Sequence, residues 1–148
     1  MEYKMEIKIG IGLDNLIFGM SQDEVKSILG VPNKIIDEDY SIAFYYNDKM
    51  IKTRFDKDEN LKLYSIEVVN RDARMFSQNL FGKSKEEITV LLKSRGYSKI
   101  EYEDYDTFDT LFCEEIWTTF RFEFDRLHDI EFSPLFKNDD EIIWPERV

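Results

Sequence analysis

The sequence predicts an α+β protein made of two tandem repeats, each a helical segment followed by an antiparallel β-meander. Three observations carry this expectation. The run Phe18-Gly19-Met20-Ser21-Gln22-Asp23-Glu24-Val25-Lys26-Ser27-Ile28-Leu29 returns without a gap as Phe81-Gly82-Lys83-Ser84-Lys85-Glu86-Glu87-Ile88-Thr89-Val90-Leu91-Leu92, 63 residues later. A match at that spacing is the mark of a duplicated supersecondary unit. Each copy carries a Ser with Glu three residues on, the capping box that satisfies two free backbone donors at a helix start. Downstream of each copy, apolar and polar residues alternate between turn-forming clusters, as half-buried strands do.

Taken in order, residues 2–9 alternate. Tyr3, Met5, Ile7 and Ile9 face one way, and Glu2, Lys4, Glu6 and Lys8 the other. Gly10 and Gly12 break that strand. Ser21 starts the first helix, with Val25, Ile28 and Leu29 as its buried stripe, and Gly30 and Pro32 stop it. Three strands come next, through Ile42, Phe44 and Tyr46, through Ile51, Thr53 and Phe55, and through Tyr64, Ile66 and Val68. Residues 71–80 connect the halves, with a short helix expected at 73–76. Ser84 starts the second helix, with Ile88, Leu91 and Leu92 buried and Gly96 as its stop. Strands are expected at 98–103, 110–117, 117–125 and 128–132, with Phe120, Phe122 and Phe124 on one face. Phe124 and Asp125 align with Phe55 and Asp56, and His128, Ile130 and Phe132 with Tyr64, Ile66 and Val68. That makes the second hairpin five residues shorter than the first. The expected organisation is one domain, with repeat one at about 1–70, repeat two at about 71–136 and a tail at 137–148 whose Trp144 packs back on the body.

The 148 residues carry a net charge of −11, unevenly placed. Residues 1–100 hold 16 acidic and 16 basic side chains, whereas residues 101–148 hold 15 acidic and 4 basic. Such a field disfavours nucleic acid and anionic membranes and favours fast, salt-sensitive docking of a basic partner. An acidic surface that serves only solubility is the competing reading. No apolar run approaches a membrane span, the N-terminus does not read as a signal peptide, and the single Cys113 fits a reducing cytoplasm.

Candidate chemistry is sparse. Asp56, Asp58, Asn60 and Glu67 fall at calcium-loop spacing, but Leu61 stands where an EF-hand needs Gly, so a hairpin turn is expected instead. His128, the only histidine, lacks partners at metal-ligand spacing and is expected on the apolar face of a strand. No cofactor, metal or catalytic residue is assigned. The acid-aromatic stretch is richer. Glu101, Tyr102, Glu103, Asp104, Tyr105, Asp106, Asp109, Glu114, Glu115 and Trp117 combine carboxylates that can pair with Lys or Arg and aromatic rings that anchor interfaces. A solvated edge strand guarded by charge and a carboxylate pair for glycoside hydrolysis are the alternatives.

Phe18-Gly19-Met20-Ser21, then Glu24-Val25, Leu29-Gly30 and Pro32, then a meander with Phe55-Asp56, resemble the β-lactamase-inhibitor-protein-like and small outer-membrane-lipoprotein-like folds. The resemblance spans roughly residues 13–132 in two passes. It implies a helical segment packed on a small antiparallel sheet, twice over. With one cysteine and no secretion signal, the chain is similar to the small, acidic, cytoplasmic immunity proteins of bacterial toxin systems, and Ile142-Ile143-Trp144-Pro145 looks like the end of some of them. The resemblance implies a non-enzymatic protein that binds and neutralises a basic toxin domain such as a nuclease. A scaffold domain is the alternative, and a small hydrolase comes third. A monomer or weak dimer is expected: the strand at 2–9 offers an edge for pairing two copies, but its charged face argues for a protected edge.

Overall fold

The computed structural model describes residues 5–147. Residues 2–4 of the expected N-terminal strand lie outside them. In chain order the elements are β1 (Glu6–Lys8), β2 (Gly12–Leu13), β3 (Leu16–Ile17), α1 (Gln22–Leu29), β4 (Lys34–Asp37), β5 (Ser41–Tyr46), β6 (Ile51–Asp56), β7 (Lys62–Val68), β8 (Arg74–Met75), α2 (Lys85–Ser94), β9 (Ile100–Asp104), β10 (Asp109–Cys113), β11 (Thr118–Glu123), β12 (Arg126–Phe132), β13 (Leu135–Phe136) and β14 (Ile142–Ile143).

Both helices begin at capping boxes. The Ser21 hydroxyl accepts from the Glu24 amide at 3.2 Å, and the Glu24 carboxylate accepts from the Ser21 amide at 3.1 Å. Ser84 and Glu87 repeat the pattern at 3.1 Å in both directions. Each closed box satisfies helix-end amides that otherwise need water. Val25 and Leu29 of α1 and Ile88 and Leu92 of α2 are buried. Ile28 departs from its expected stripe and is 40% exposed.

The expected fold class is corrected. The chain is mostly β, and its helices, eight and ten residues long, are minor elements among the described residues. The two meanders are not separate helix-plus-sheet units. Their strands form one continuous eight-stranded antiparallel sheet in the order β4-β5-β6-β7-β12-β11-β10-β9. At the seam, Ile66 lies opposite Phe132, Glu67 opposite Glu131 and Val68 opposite Ile130. The physical reason lies in the last strand of each meander. β7 and β12 are apolar along one face, and as free edges they would leave a row of unpaired backbone groups. Pairing them satisfies the backbone and merges two apolar faces into one core.

The strands β2, β3, β4, β8, β13 and β14 were outside the expectation, whereas β1 falls within the expected strand at 2–9. β1, β2, β3 and β8 form a second sheet in the order β3-β2-β1-β8, with β1 and β8 parallel. β1 is thus an interior strand of that sheet and offers no edge to a second copy. The expected helix at 73–76 is β8 instead, turned back by left-handed Phe76 and Ser77. Residues 110–117 are not one strand. The chain leaves the sheet after Cys113 in a 3-10 turn (Glu114–Ile116), and Trp117 takes a left-handed backbone.

Two β-bulges shift the phase of the strands. One lies at Arg54/Phe55 against β7 and the other at Arg121/Phe122 against β12. Phe55 pairs with Leu63 and Phe122 with Leu127, so Tyr64 and His128 are the extra residues and leave the apolar face. Phe122, not Phe124, therefore takes the position of Phe55. Phe124 leaves the face of Phe120 and Phe122 and is 96% exposed. Five residues separate β6 from β7 and two separate β11 from β12, so the shortening is three residues rather than five.

The tail folds back. β13 and β14 form a hairpin, the Trp144 ring lies beside Gly19 and under the Lys62 ammonium at 5.1 Å, and Arg147 pairs with Glu24. The buried side chains of both sheets and both helices form a single cluster.

Candidate functional site

The sheet face away from the helices is polar, and strand alternation puts it there. Behind the buried Ile51, Thr53 and Phe55 of β6 stand Lys52 and Arg54. Glu67 projects from β7, Asp129 and Glu131 from β12, and Arg121 and Glu123 from β11, all on the side opposite the core. These charges form a lattice. The Lys52 ammonium meets Glu67 at 3.1 Å, and Arg54 meets Glu38 at 3.2 Å, Glu131 at 3.7 Å and Glu67 at 3.9 Å. Arg121 reaches Glu123 at 3.7 Å and Asp129 at 3.8 Å. His128, expected on the apolar face, belongs here instead. Its Nδ1 lies 3.0 Å from Asp129 and 3.4 Å from Glu123, because the bulge at β12 turns it over.

Within the lattice, the Ser41 hydroxyl donates to Glu38 at 2.6 Å and, with Arg54, holds that carboxyl below its ordinary range. Asp129 behaves oppositely. It is 5% exposed, and burial, aided by the nearby Glu67, pushes its pKa up to about 6 against the pull of His128 and Arg121. Stability responds with a definite sign. Between the ordinary value of 3.8 and about 6 the folded chain holds more protons than the unfolded one, so this group's contribution is present below about pH 4 and lost as pH rises through about 6. Asp129→Asn has no such proton to lose. Its stability relative to the parent is expected to rise by about 2 kcal/mol between pH 4 and pH 7, read from urea unfolding midpoints. A difference that stays flat over this range contradicts the assignment.

The acid-aromatic stretch divides into three places. Glu101 and Glu103 stand on the polar face of β9, an edge strand of the large sheet. The Tyr105 hydroxyl donates to Glu103 at 2.5 Å, and its ring stacks on Phe108 at 4.6 Å, which in turn lies under the Arg121 guanidinium at 4.2 Å. Asp106 is exposed in the same loop. Tyr102 and Asp104 face the helix side. Tyr102 shares a hydrogen bond with Thr89 at 2.9 Å. Asp109 pairs with Lys85, at the first turn of α2, at 2.7 Å. Glu114, Glu115 and Trp117 lie at the far end of β10. Glu115 accepts from the amides of Ser98 and Lys99 at 2.8 and 2.7 Å, so it closes a turn. Trp117 packs edge-on to Phe112 at 5.2 Å and against Phe136 at 4.6 Å. Glu114 and Trp117 border a groove of about 420 Å³ with Lys99, Leu135 and Ile143. Tyr102 and Trp117 therefore do not share one patch, because alternation and the length of β10 separate them.

Sequence reasoning missed the charge lattice. The alternation of Lys52 and Arg54 with apolar neighbours marks a polar face, but the partner carboxylates come from strands distant in sequence.

Residues 56–60 form a 3-10 turn (Lys57–Glu59) in which the Asp56 carboxylate accepts from the Asp58 amide at 2.9 Å. Among the described residues, no group of three or more His, Cys, Asp and Glu side chains is placed to hold a metal ion. No helix among them is long and apolar enough to cross a membrane. Cys113 is buried, and burial pushes its thiol above the ordinary range, which keeps it protonated and unreactive.

No family model matches the chain, and no curated protein matches it. Its fold is similar to that of an extracellular protein containing an SCP domain from Bacillus anthracis str. Ames, with a TM-score of 0.50 and 11% sequence identity. The likeness covers 88% of this chain and 49% of that one, so the chain spans about half the length of its structural neighbour. At that identity the similarity is one of fold alone.

Proposed function

We propose that this chain is a non-enzymatic binding protein that docks a basic protein partner through its acidic second half. The partner is a bacterial toxin domain, neutralised in the cytoplasm by occlusion. One observation carries the reading. The carboxylates at the centre of the sheet are spent on Lys52, Arg54 and Arg121. In contrast, Glu101, Glu103, Asp104 and Asp106 are exposed and, among the described residues, have no basic side chain within 4.0 Å. Carboxylates at this end of the sheet with no basic side chain beside them among the described residues are available to a partner's Lys and Arg, and carboxylate pairing with Arg is strong and directional. Occlusion asks no chemistry of this chain.

The test is growth of bacteria that express the protein encoded immediately upstream, with and without this chain. Rescue from toxicity is expected. The triple variant Glu103→Lys, Asp104→Lys, Asp106→Lys is expected to lose protection and to bind that protein about 100-fold more weakly at low salt. A harmless neighbour, or undiminished binding by the triple variant, sinks the reading and favours a scaffold domain whose acidity serves only solubility.

A further inference from the structure

The hairpin between β11 and β12 ends on an aromatic ring held in water. Phe124 is 96% exposed, while the other phenylalanines of the chain are buried or half-buried. Its backbone is left-handed, with φ 52°, and that of Asp125 is next at 57°. A two-residue hairpin turn of this kind favours Asn, Asp or Gly at both positions, and a bulky side chain there is disfavoured. The fold therefore gains nothing from Phe124 that Asn would not supply at less cost.

The tip is also held still. The Asp125 carboxylate accepts from the Lys85 amide at 3.1 Å, the Leu127 amide donates to Lys83 at 2.8 Å, and the Gly82 amide donates to Leu127 at 3.1 Å. The ring is thus presented from a turn clamped to the start of α2, with little freedom to lose on binding. Around it the charge is mixed, with Glu123 and Asp125 flanking the ring, exposed Arg126 next in the chain, and Lys83 and Lys85 across the clamp. Asp104, Asp109 and Asp125 all act on the Lys85 ammonium, and Asp109 occupies it directly. The loop carrying Tyr105 and Asp106 lies at the same end of the sheet, since Asp109 pairs with both Asp104 and Phe122.

We infer that Phe124 is the anchor of the partner interface, inserting into an apolar pocket on a protein whose rim carries Lys and Arg. The exposed Asp104 and Asp106 at the same end of the sheet, with no basic side chain within 4.0 Å among the described residues, fit such a rim. A buried aromatic anchor within a ring of polar contacts is the usual form of a binding hot spot. This inference rests on the proposed docking of a basic partner and places its centre at the two hairpin tips.

The test uses short random peptides displayed on phage, selected on the full chain. Peptides rich in Lys and Arg around an apolar residue are expected to emerge. They are expected to bind Phe124→Asn at least tenfold more weakly and Phe124→Tyr nearly as well. The Phe124→Asn chain is expected to melt no lower than the parent, since Asn suits the turn. Basic peptides that bind Phe124→Asn undiminished but lose affinity for the triple Lys variant overturn the anchor and leave the acidic interface standing. Selection of peptides without Lys or Arg, or of none, overturns both. A lower melting temperature for Phe124→Asn shows that the ring supports the fold and overturns the anchor. A concentration-dependent dimer that Phe124→Asn abolishes assigns the ring to self-association instead.

Discussion

Phe132→Ala is expected to destabilise the protein by about 3–5 kcal/mol, the range for truncating a large buried aromatic. Phe132 is 1% exposed and lies opposite Ile66 at the β7–β12 seam and opposite Thr118 of β11. Its ring meets Phe18, from the segment before α1, edge-on at 5.5 Å. One side chain thus ties together both meanders and the N-terminal sheet. Strand pairing on both sides keeps the backbone from collapsing into the space that truncation leaves, so the cavity cost adds to the lost transfer energy. Guanidinium unfolding followed by tryptophan fluorescence is expected to show a lower midpoint with an unchanged slope. A loss below ~1 kcal/mol, within reach of many surface changes, means that the seam is not where the core is held.

Gly12→Ala is expected to be of similar severity, on the order of 3 kcal/mol or more. Gly12 has φ 153°, and a Cβ there would sit 1.8 Å from the Leu16 carbonyl oxygen and 2.8 Å from its carbon. Both atoms are backbone, locked by the pairing of Gly12 with Ile17 and Leu13 with Leu16. No side-chain rotation relieves the clash, so β2 and β3 must separate. Gly30 supplies the control. It also has a positive φ, 88°, yet a Cβ there meets nothing within 4 Å. Gly30→Ala should therefore cost only the backbone term, about 1 kcal/mol. Thermal melts of the two variants side by side separate strain from collision. If Gly12→Ala melts no lower than Gly30→Ala, the β2–β3 turn is looser than its pairing indicates.

These positions also mark where sequence reasoning succeeds and where it stops. Gly10 and Gly12 are legible as strand breakers, but the approach of the Leu16 carbonyl is a tertiary fact. The capping boxes at Ser21 and Ser84 are legible outright, because a helix start is settled by residues three apart. The apolar faces of β5 and β6 are legible for the same reason, since alternation is local. The phase of β7 and β12 is not. A bulge is set by the partner strand, so Leu63 and Leu127 take the core positions beside Tyr64 and His128. Phe124 is misplaced for the same reason, as one extra residue moves a side chain from the core to the turn.

The acidic stretch shows the same division. Its charge imbalance is visible in the composition, but its partition among a sheet edge, the start of α2 and the far end of β10 is not. The charge lattice around Arg54 and Arg121 joins β6, β7, β11 and β12, whose residues lie far apart in the chain. By itself the sequence determined the two helix starts, the apolar faces of β5 and β6 and the acidic second half, because each depends on neighbours within a few residues or on plain charge. Only the tertiary structure decided that the meanders fuse at β7 and β12, and which carboxylates are spent internally and which remain free. Strand pairing is made between segments that share no local signal, and its energy comes from satisfying backbone groups and burying faces together.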